Sequence, residues 1–451
     1  MMTAVGDMTY ASHPTDSPRP LGPVLAQPEP GLTAEDFVRR ARAMRDHLRS
    51  EQEATENRTY YSQETHEAFQ QAGFYRMLQP KAFGGYELRM SEYFRVITEV
   101  ARGCPSTGWC LCLGSAHVLN LASLFDPDVQ IEAMGEDGHF IAPFQLMPSV
   151  RAIPHEDGWE LNGTWGYCSG APYSTHAEGA VLLPPGEDGA PRLGRALVPR
   201  SGYTVLDDWG NTLGLRGSGS HSIRLENTVV PHHYVLQHDP NDVPLDRTVG
   251  MAVHGNPMYT GRTRGLFFAE ILAIAIGTAR AMLDEYQLAL LEKKPLWNPR
   301  ALRAEDAHYQ RWYGETNSLL DAADAVLHGL AERYHSLCEH AVRGEGEFSA
   351  NDDGRLANLS QEGLRYATEA MDLMLRTGGS SALRRGSRTE RYWRDFSTLR
   401  SHAVPLIRDY GAQLFGAAEL EAAQRARNLA GSETTAKNDD TTDDTTNAGA
   451  R

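Results

Sequence analysis

The sequence predicts a mostly α-helical protein in which a small β-domain separates two helical blocks. Three observations carry that prediction. The first 140 or so residues alternate short amphipathic stretches with cap and stop signals. From Val150 to about Pro231 apolar residues alternate singly and turn sequences are frequent. Beyond residue 261 few breakers interrupt long helical patterns. The expected organisation is an N-terminal helical domain over 31–145, a central β-barrel or sandwich over 146–250 and a C-terminal helical bundle over 251–430. Residues 1–30 and 431–451 are polar or Pro-rich flanks with too little to bury and are expected to be disordered.

Taken in order, Thr33 is placed to cap a helix running through Phe37 and Ala41 to Leu48. Ser62 and Ser91 have the same character, and helices from them are expected to stop near Gly73 and Gly103. Asp126-Pro127 is a further start signal. In the β-region, Trp159, Leu161, Trp165 and Tyr167 alternate about Asn162-Gly163, which predicts a hairpin turning there. Glu156-Asp157-Gly158 and Glu187-Asp188-Gly189 are other turns. The bundle is expected to hold helices over Leu266–Leu291, Ala301–Arg343, Arg355–Arg376 and Thr389 to about Asn428.

Bulk properties exclude several classes. At 451 residues the chain can build a large core, and its net charge of −16 supplies no basic field for nucleic acid or an anionic membrane. The most apolar run, Ile271–Ala279, is too short to span a bilayer, and no secretion signal is legible, so the expected location is cytoplasmic. Five cysteines do not form a disulfide framework, and Cys110 and Cys112 match no metal spacing. His335, Cys338 and His340 sit at helix positions facing different ways, so no metal site is expected.

Chemistry is suggested by four stretches. Asp395, Leu399 and His402 fall at i, i+4 and i+7, one face of a continuous helix, with the imidazole about 10 Å along the axis from the carboxylate. Read alone, this is also an ordinary amphipathic helix with a surface Arg–Asp pair. Gly378-Gly379 ahead of Ser380 lets backbone approach a bulky group. Trp109 and His117, eight residues apart, can project from one side of a helix, as a functional pair or as core. Trp165-Gly166-Tyr167-Cys168-Ser169-Gly170 ends a strand with small residues beside a hydroxyl, where a flat ring can rest against backbone. Gly214 to Ser220 is glycine-rich, but the strand that follows it argues for a tight loop and against a phosphate cradle.

The order of these pieces, with Gly84-Gly85-Tyr86, Cys168-Ser169-Gly170, Gly378-Gly379 and Arg391 to Asp395, resembles the acyl-CoA dehydrogenase fold over roughly residues 33–425. Trp109, His117, Ser169-Gly170 and His402 resemble, more narrowly, the oxygenase components of two-component flavin-dependent monooxygenases, among them p-hydroxyphenylacetate and steroid-phenol hydroxylases. That resemblance implies reduced FMN or FAD delivered by a separate flavin reductase, O2 as co-substrate, a C4a-hydroperoxide as oxidant and a homotetramer. It implies catalytic roles for His402, His117 and Ser169: Ser169 near flavin N5, and His402 as base or charge partner for a phenol. Trp109, Trp165, Cys168, Ser169 and Gly170 would line the flavin, and Gly378, Gly379 and Ser380 would approach the flavin of a neighbouring subunit. Pro143-Phe144-Gln145-Leu146 replaces a more polar segment of some relatives, which hints at a larger or less polar substrate.

The alternatives are an N- or S-oxygenase of the same fold, or an acyl-CoA dehydrogenase. A dehydrogenase needs a carboxylate base. The neighbourhood where many relatives carry it reads Ser401-His402-Ala403-Val404 here, leaving Glu270 as the remaining candidate.

Overall fold

The structure, a computed structural model, describes residues 20–237 and 248–439. Among these, the N-terminal block consists of α1 (Ala34–Ser50), α2 (Gln52–Arg58), α3 (Gln63–Gln71), α4 (Met90–Gly103), α5 (Pro105–Ala116), α6 (Val118–Leu124) and α7 (Pro127–Met134). Thr33 caps α1 in a full capping box with Asp36, and Ser62 caps α3. Ser91 differs from expectation. It lies inside the first turn of α4 and gives its hydroxyl to Glu332, while the Glu92 carboxylate accepts the Arg89 N–H ahead of the helix.

The β-region comprises β1 (Phe144–His155), β2 (Gly158–Trp165), β3 (His176–Leu183), β4 (Arg192–Pro199), β5 (Thr204–Val205), β6 (Ile223–Val230) and β7 (Val235–Leu236). They form one continuous seven-stranded sheet in the order β5-β6-β2-β1-β3-β4-β7, with β1 and β3 parallel. The expected turn at Asn162-Gly163 is not there. The chain reverses at Glu156-Asp157, and Asn162-Gly163 lies within β2, facing Arg151 and Val150 of β1. Its composition serves a bulge instead. The β2–β6 register slips between Leu161 and Gly163, Gly163 sits at φ +144°, and the Asn162 side chain accepts the Asn227 N–H at 2.7 Å.

The second helical block follows: α8 (Val249–His254), α9 (Arg264–Glu292), α10 (Ala307–Val342), α11 (Ala350–Gly378), α12 (Arg388–Leu399), α13 (Ala403–Leu406) and α14 (Arg408–Asp439). Helix α9 is long and apolar enough to cross a membrane, yet 83% of its apolar window is buried inside the protein, against α4, α10, α11 and α12.

Three further expectations are corrected. The helix expected from Thr389 to Asn428 is broken at His402, because Pro405 lacks the N–H a continuous helix would point at Ser401, and its ring would crowd that carbonyl. Helix continues to Asp439, into the flank expected to be disordered, since propagation costs little once α14 has begun. Residues 20–30 are tethered rather than free: Val24 and Leu25 donate to Ala82 O at 2.7 and 3.0 Å, and Gln27 donates to Gly85 O at 2.8 Å. Residues 1–19 and 440–451 lie outside the described residues.

Candidate functional site

Three distant parts of the chain meet at Trp109. Its helix begins with Pro105 at the first position and is apolar all round, so it is buried along nearly its whole length. The indole N–H of Trp109 donates to Ser169 Oγ at 2.8 Å, and its ring meets the His402 imidazole edge-on at 5.3 Å. Ser169 follows Tyr167, a residue with left-handed backbone (φ +59°) that turns the chain out of β2. Cys168 consequently points inward, its thiol on Trp165 O and pushed up to about 12 by burial, while Ser169 stays partly open. The Tyr167 ring is exposed and lies edge-on to Trp209 at 5.7 Å.

His402 reaches the site from outside α12. It caps α13, its Nδ1 accepting the Val404 N–H at 3.3 Å. Burial holds its pKa down at about 4. A neutral ring whose Nδ1 is an acceptor carries its proton on Nε2, so His402 offers a donor. With its Nδ1 engaged and its pKa held down, the ring is a weaker proton acceptor than free imidazole.

The glycine-rich loop Gly214–Ser220 contributes side chains that sequence reasoning did not assign to the site. Gly214 sits flat on α12, where a Cβ would come within 2.1 Å of Arg394 O, and its N–H goes to Thr398 Oγ1 at 2.8 Å. Leu215 N–H goes to Asp395 at 2.6 Å. Burial raises the Asp395 carboxyl to about 7, and Glu56 adds to it while Arg394 and Arg391 oppose it. Both arginines pair with Glu56, at 3.1 and 3.3 Å. The loop so anchored delivers Ser220, whose Oγ lies 2.9 Å from Ser169 Oγ and 2.7 Å from Ser218 Oγ. The available signal was the run Ser218-Gly219-Ser220, but only the tertiary fold shows where those hydroxyls end.

Other expected site residues lie apart. Trp165 has no exposed surface. Its ring covers Gly179, where a Cβ would come within 2.5 Å, and its N–H is satisfied by Ala180 O at 3.1 Å, so its ring packs as core. His117 sits at the junction of α5 and α6, donates from Nδ1 to Ala142 O at 2.7 Å, and packs edge-on against Phe144 and Phe267. Burial lowers it to about 4 as well, leaving its Nε2 as an acceptor, the reverse of His402. Beside Phe144 lies a buried ion pair, Arg195 with Glu178 at 3.1 Å. Among the described residues no hydrogen bond or ring contact joins His117 to Trp109, Ser169 or His402. Gly378, Gly379 and Ser380 close α11 in another corner, where Arg303 donates to Gly378 O at 3.0 Å. Grooves of about 380 and 500 Å³ also lie elsewhere, the first lined by Arg42, Arg95, Arg102 and Arg280, which are all paired with carboxylates.

The Trp109 cluster suits the uncharged polar edge of a flavin ring. Its polar groups are neutral hydroxyls and imidazole. The Gly166 backbone is open on one side, with nothing nearer an added Cβ than Ser222 Oγ at 3.8 Å. Gly170 (φ +79°) completes the turn, and Tyr167 supplies an exposed aromatic face.

Comparison with known proteins identifies relatives of the chain. Residues 33–140 match the acyl-CoA dehydrogenase N-terminal domain and residues 269–405 the C-terminal domain. The chain is 28% identical over 371 residues to the flavin-dependent monooxygenase oxygenase subunit HsaA of Rhodococcus jostii strain RHA1, covering 81% of this chain and 94% of that one. It is 26% identical over 410 residues to the FADH2-dependent resorcinol hydroxylase oxygenase component of Rhizobium sp. strain MTP-10005, covering 88% and 94%. The crystal structure of 3-HSA hydroxylase from Rhodococcus sp. RHA1 superposes with a TM-score of 0.76 at 25% identity, covering 86% of this chain and 97% of that one.

Proposed function

This chain belongs to the acyl-CoA dehydrogenase family, among flavin-dependent monooxygenases, and we propose that it is the oxygenase component of a two-component system hydroxylating an aromatic or polycyclic small molecule. The observation that carries this reading is the convergence of Trp109, Ser169 and His402, each neutral, in a largely desolvated setting. Reduced FMN or FAD, when bound, supplies the electrons that activate O2. The residues of the chain do the rest. Ser169 would donate a hydrogen bond to the ring edge. Trp109 holds that serine and forms an apolar wall. His402, through Nε2–H, would donate to the oxygen substituent of the substrate and hold it in line with the oxidant. The buried surroundings exclude water that would divert the oxidant.

A separate reductase is the partner this chemistry needs, as the relatives named oxygenase subunit or oxygenase component suggest. A homotetramer is supported by α13 and α14, which leave Leu406, Tyr410, Leu414 and Leu420 exposed, apolar surface that another copy would cover. The dehydrogenase alternative gains no support from Glu270. It is wholly buried on α9, with both oxygens lacking a hydrogen bond among the described residues, near Tyr93 and Cys112 and without a described contact to Trp109 or His402.

Stopped-flow mixing of the reduced-flavin complex with O2, with and without a panel of phenols, tests the reading. A near-ultraviolet transient followed by hydroxylated product supports it. Flavin bleaching by an acyl-CoA, with no oxygen-dependent transient, would replace it with a dehydrogenase.

A further inference from the structure

We propose that Ser218, Ser220 and Ser169 form a hydrogen-bond relay of fixed direction that makes Ser169 an obligate donor toward the flavin edge. The inference rests on the flavin reading above and adds two positioning residues to it. The argument is a count of protons and lone pairs. An indole N–H only donates, so one lone pair of Ser169 Oγ is taken by Trp109 at 2.8 Å. Ser220 lies between Ser169 and Ser218, and each serine has one proton. Three arrangements are available, and one fails at once: if both neighbours donate to Ser220, its own proton has no acceptor among the described residues, and Ser220 is only 5% exposed. If Ser169 donates to Ser220 and Ser220 to Ser218, the Ser218 proton ends without an acceptor, because Ser218 Oγ has no other hydrogen-bond partner among the described residues. Ser218 is 1% exposed, so water does not rescue it. In the opposite direction Ser218 donates to Ser220 and Ser220 to Ser169. Every buried proton is then used, and both lone pairs of Ser169 are filled. The one proton left over belongs to Ser169, the member of the chain that remains partly open. It points where a ligand would lie, and the hydroxyl cannot turn to accept instead.

The relay is held from outside the site. Gly170 N–H donates to Ser218 O at 3.3 Å, tying the two serine segments through backbone. Gly219 N–H donates to Thr59 O at 2.8 Å, fixing the middle of the loop. Ser218 and Ser220 are therefore positioning residues, acting through Ser169.

The test is anaerobic titration of FMNH2, and in a parallel series FADH2, into wild type and Ser169→Ala, Ser220→Ala, Ser220→Thr and Ser169→Ala/Ser220→Ala proteins, with Kd as the readout. Losing Ser220 in the wild-type background should weaken binding about three- to tenfold, the worth of one hydrogen bond. In the Ser169→Ala background the same change should cost less than about twofold, because the proton it oriented is gone. Ser220→Thr should return Kd to within about twofold of wild type. A general packing defect would instead weaken both backgrounds alike. Equal losses in both backgrounds, or a wild-type Kd for Ser220→Ala, would overturn the relay. Where Ser220→Ala does not fold, Ser218→Ala decides in the same assay, and a wild-type Kd there is equally fatal. Wild type that binds neither reduced flavin overturns the flavin reading, and the relay falls with it.

Discussion

His117 and His402 are neutral imidazoles of opposite tautomer: the first donates from Nδ1 to Ala142 O, and the second accepts the Val404 N–H at Nδ1. Each arrangement is imposed by backbone, and each fixes what the far nitrogen can do. His117 Nε2 can only accept, and His402 Nε2 can only donate. His402 is thereby set to donate from Nε2 to whatever lies beside it.

His402→Ala should lower product formation by about 10²-fold, the cost of a misplaced substrate, while the Kd for reduced flavin changes less than about twofold. Peroxide release should rise correspondingly, because oxygen is still consumed without a positioned substrate. Product and peroxide assays on one sample check this. Unchanged coupling would show that the imidazole only caps α13.

Trp109→Phe keeps an apolar ring but removes the N–H that Ser169 accepts. Reduced-flavin binding should weaken about three- to tenfold, with a stability loss near 1 kcal/mol, measured by denaturant unfolding of the flavin-free protein. A wild-type Kd would deny the indole N–H a part in the site.

Asp395 makes a pH prediction. Its carboxyl, ordinarily near 3.8, is raised to about 7 by burial. The folded protein keeps a proton there that the unfolded chain releases, so this contribution to stability is whole below about pH 4 and is lost as pH rises through 7. Asp395→Asn, still able to accept from Leu215, should remove roughly 2–3 kcal/mol of the stability difference between pH 5 and pH 8. The two imidazoles work in the opposite sense. Held down at about 4, they give stability that is present above 6.5 and lost as pH falls through 4. Unfolding curves for wild type and Asp395→Asn at matched pH separate the contributions.

Glu270→Gln should leave turnover within about twofold and stabilise the protein above neutral pH by about 1 kcal/mol or more, since a buried carboxyl with no hydrogen bond among the described residues resists ionisation. A loss of turnover by 10² or more would return Glu270 to the chemistry.

Much of this was legible from local signals. Thr33 and Ser62 announced helices because a cap is decided by a few neighbouring residues. Trp109, Ser169 and His402 were each visible as residue types in suitable contexts, and the fold brings them together. What failed were inferences that assumed local geometry carries on. The i, i+4, i+7 spacing puts His402 on the Asp395 face, but Pro405 ends that helix line, and the imidazole arrives as a cap instead. Asn162-Gly163 has the composition of a turn, yet two neighbouring strands hold it straight with a bulge. Ser218 and Ser220 lie in a loop, as their glycine-rich surroundings predict. Their partner, Ser169, is about fifty residues earlier in the chain, and no local pattern encodes that pairing.

The seat of Gly214 on Arg394 O has a consequence for anyone diversifying this protein to accept new substrates. Loop 214–220 is the natural stretch to randomise, being glycine-rich and bordering the site. Libraries that vary position 214 should be almost empty of active clones, since any side chain there must lift the loop from α12 and carry Ser218 and Ser220 with it. Position 213, whose leucine is exposed, should tolerate nearly everything. Two adjacent codons would then show opposite extremes of tolerance, and a deep sequencing count would display the boundary between them directly.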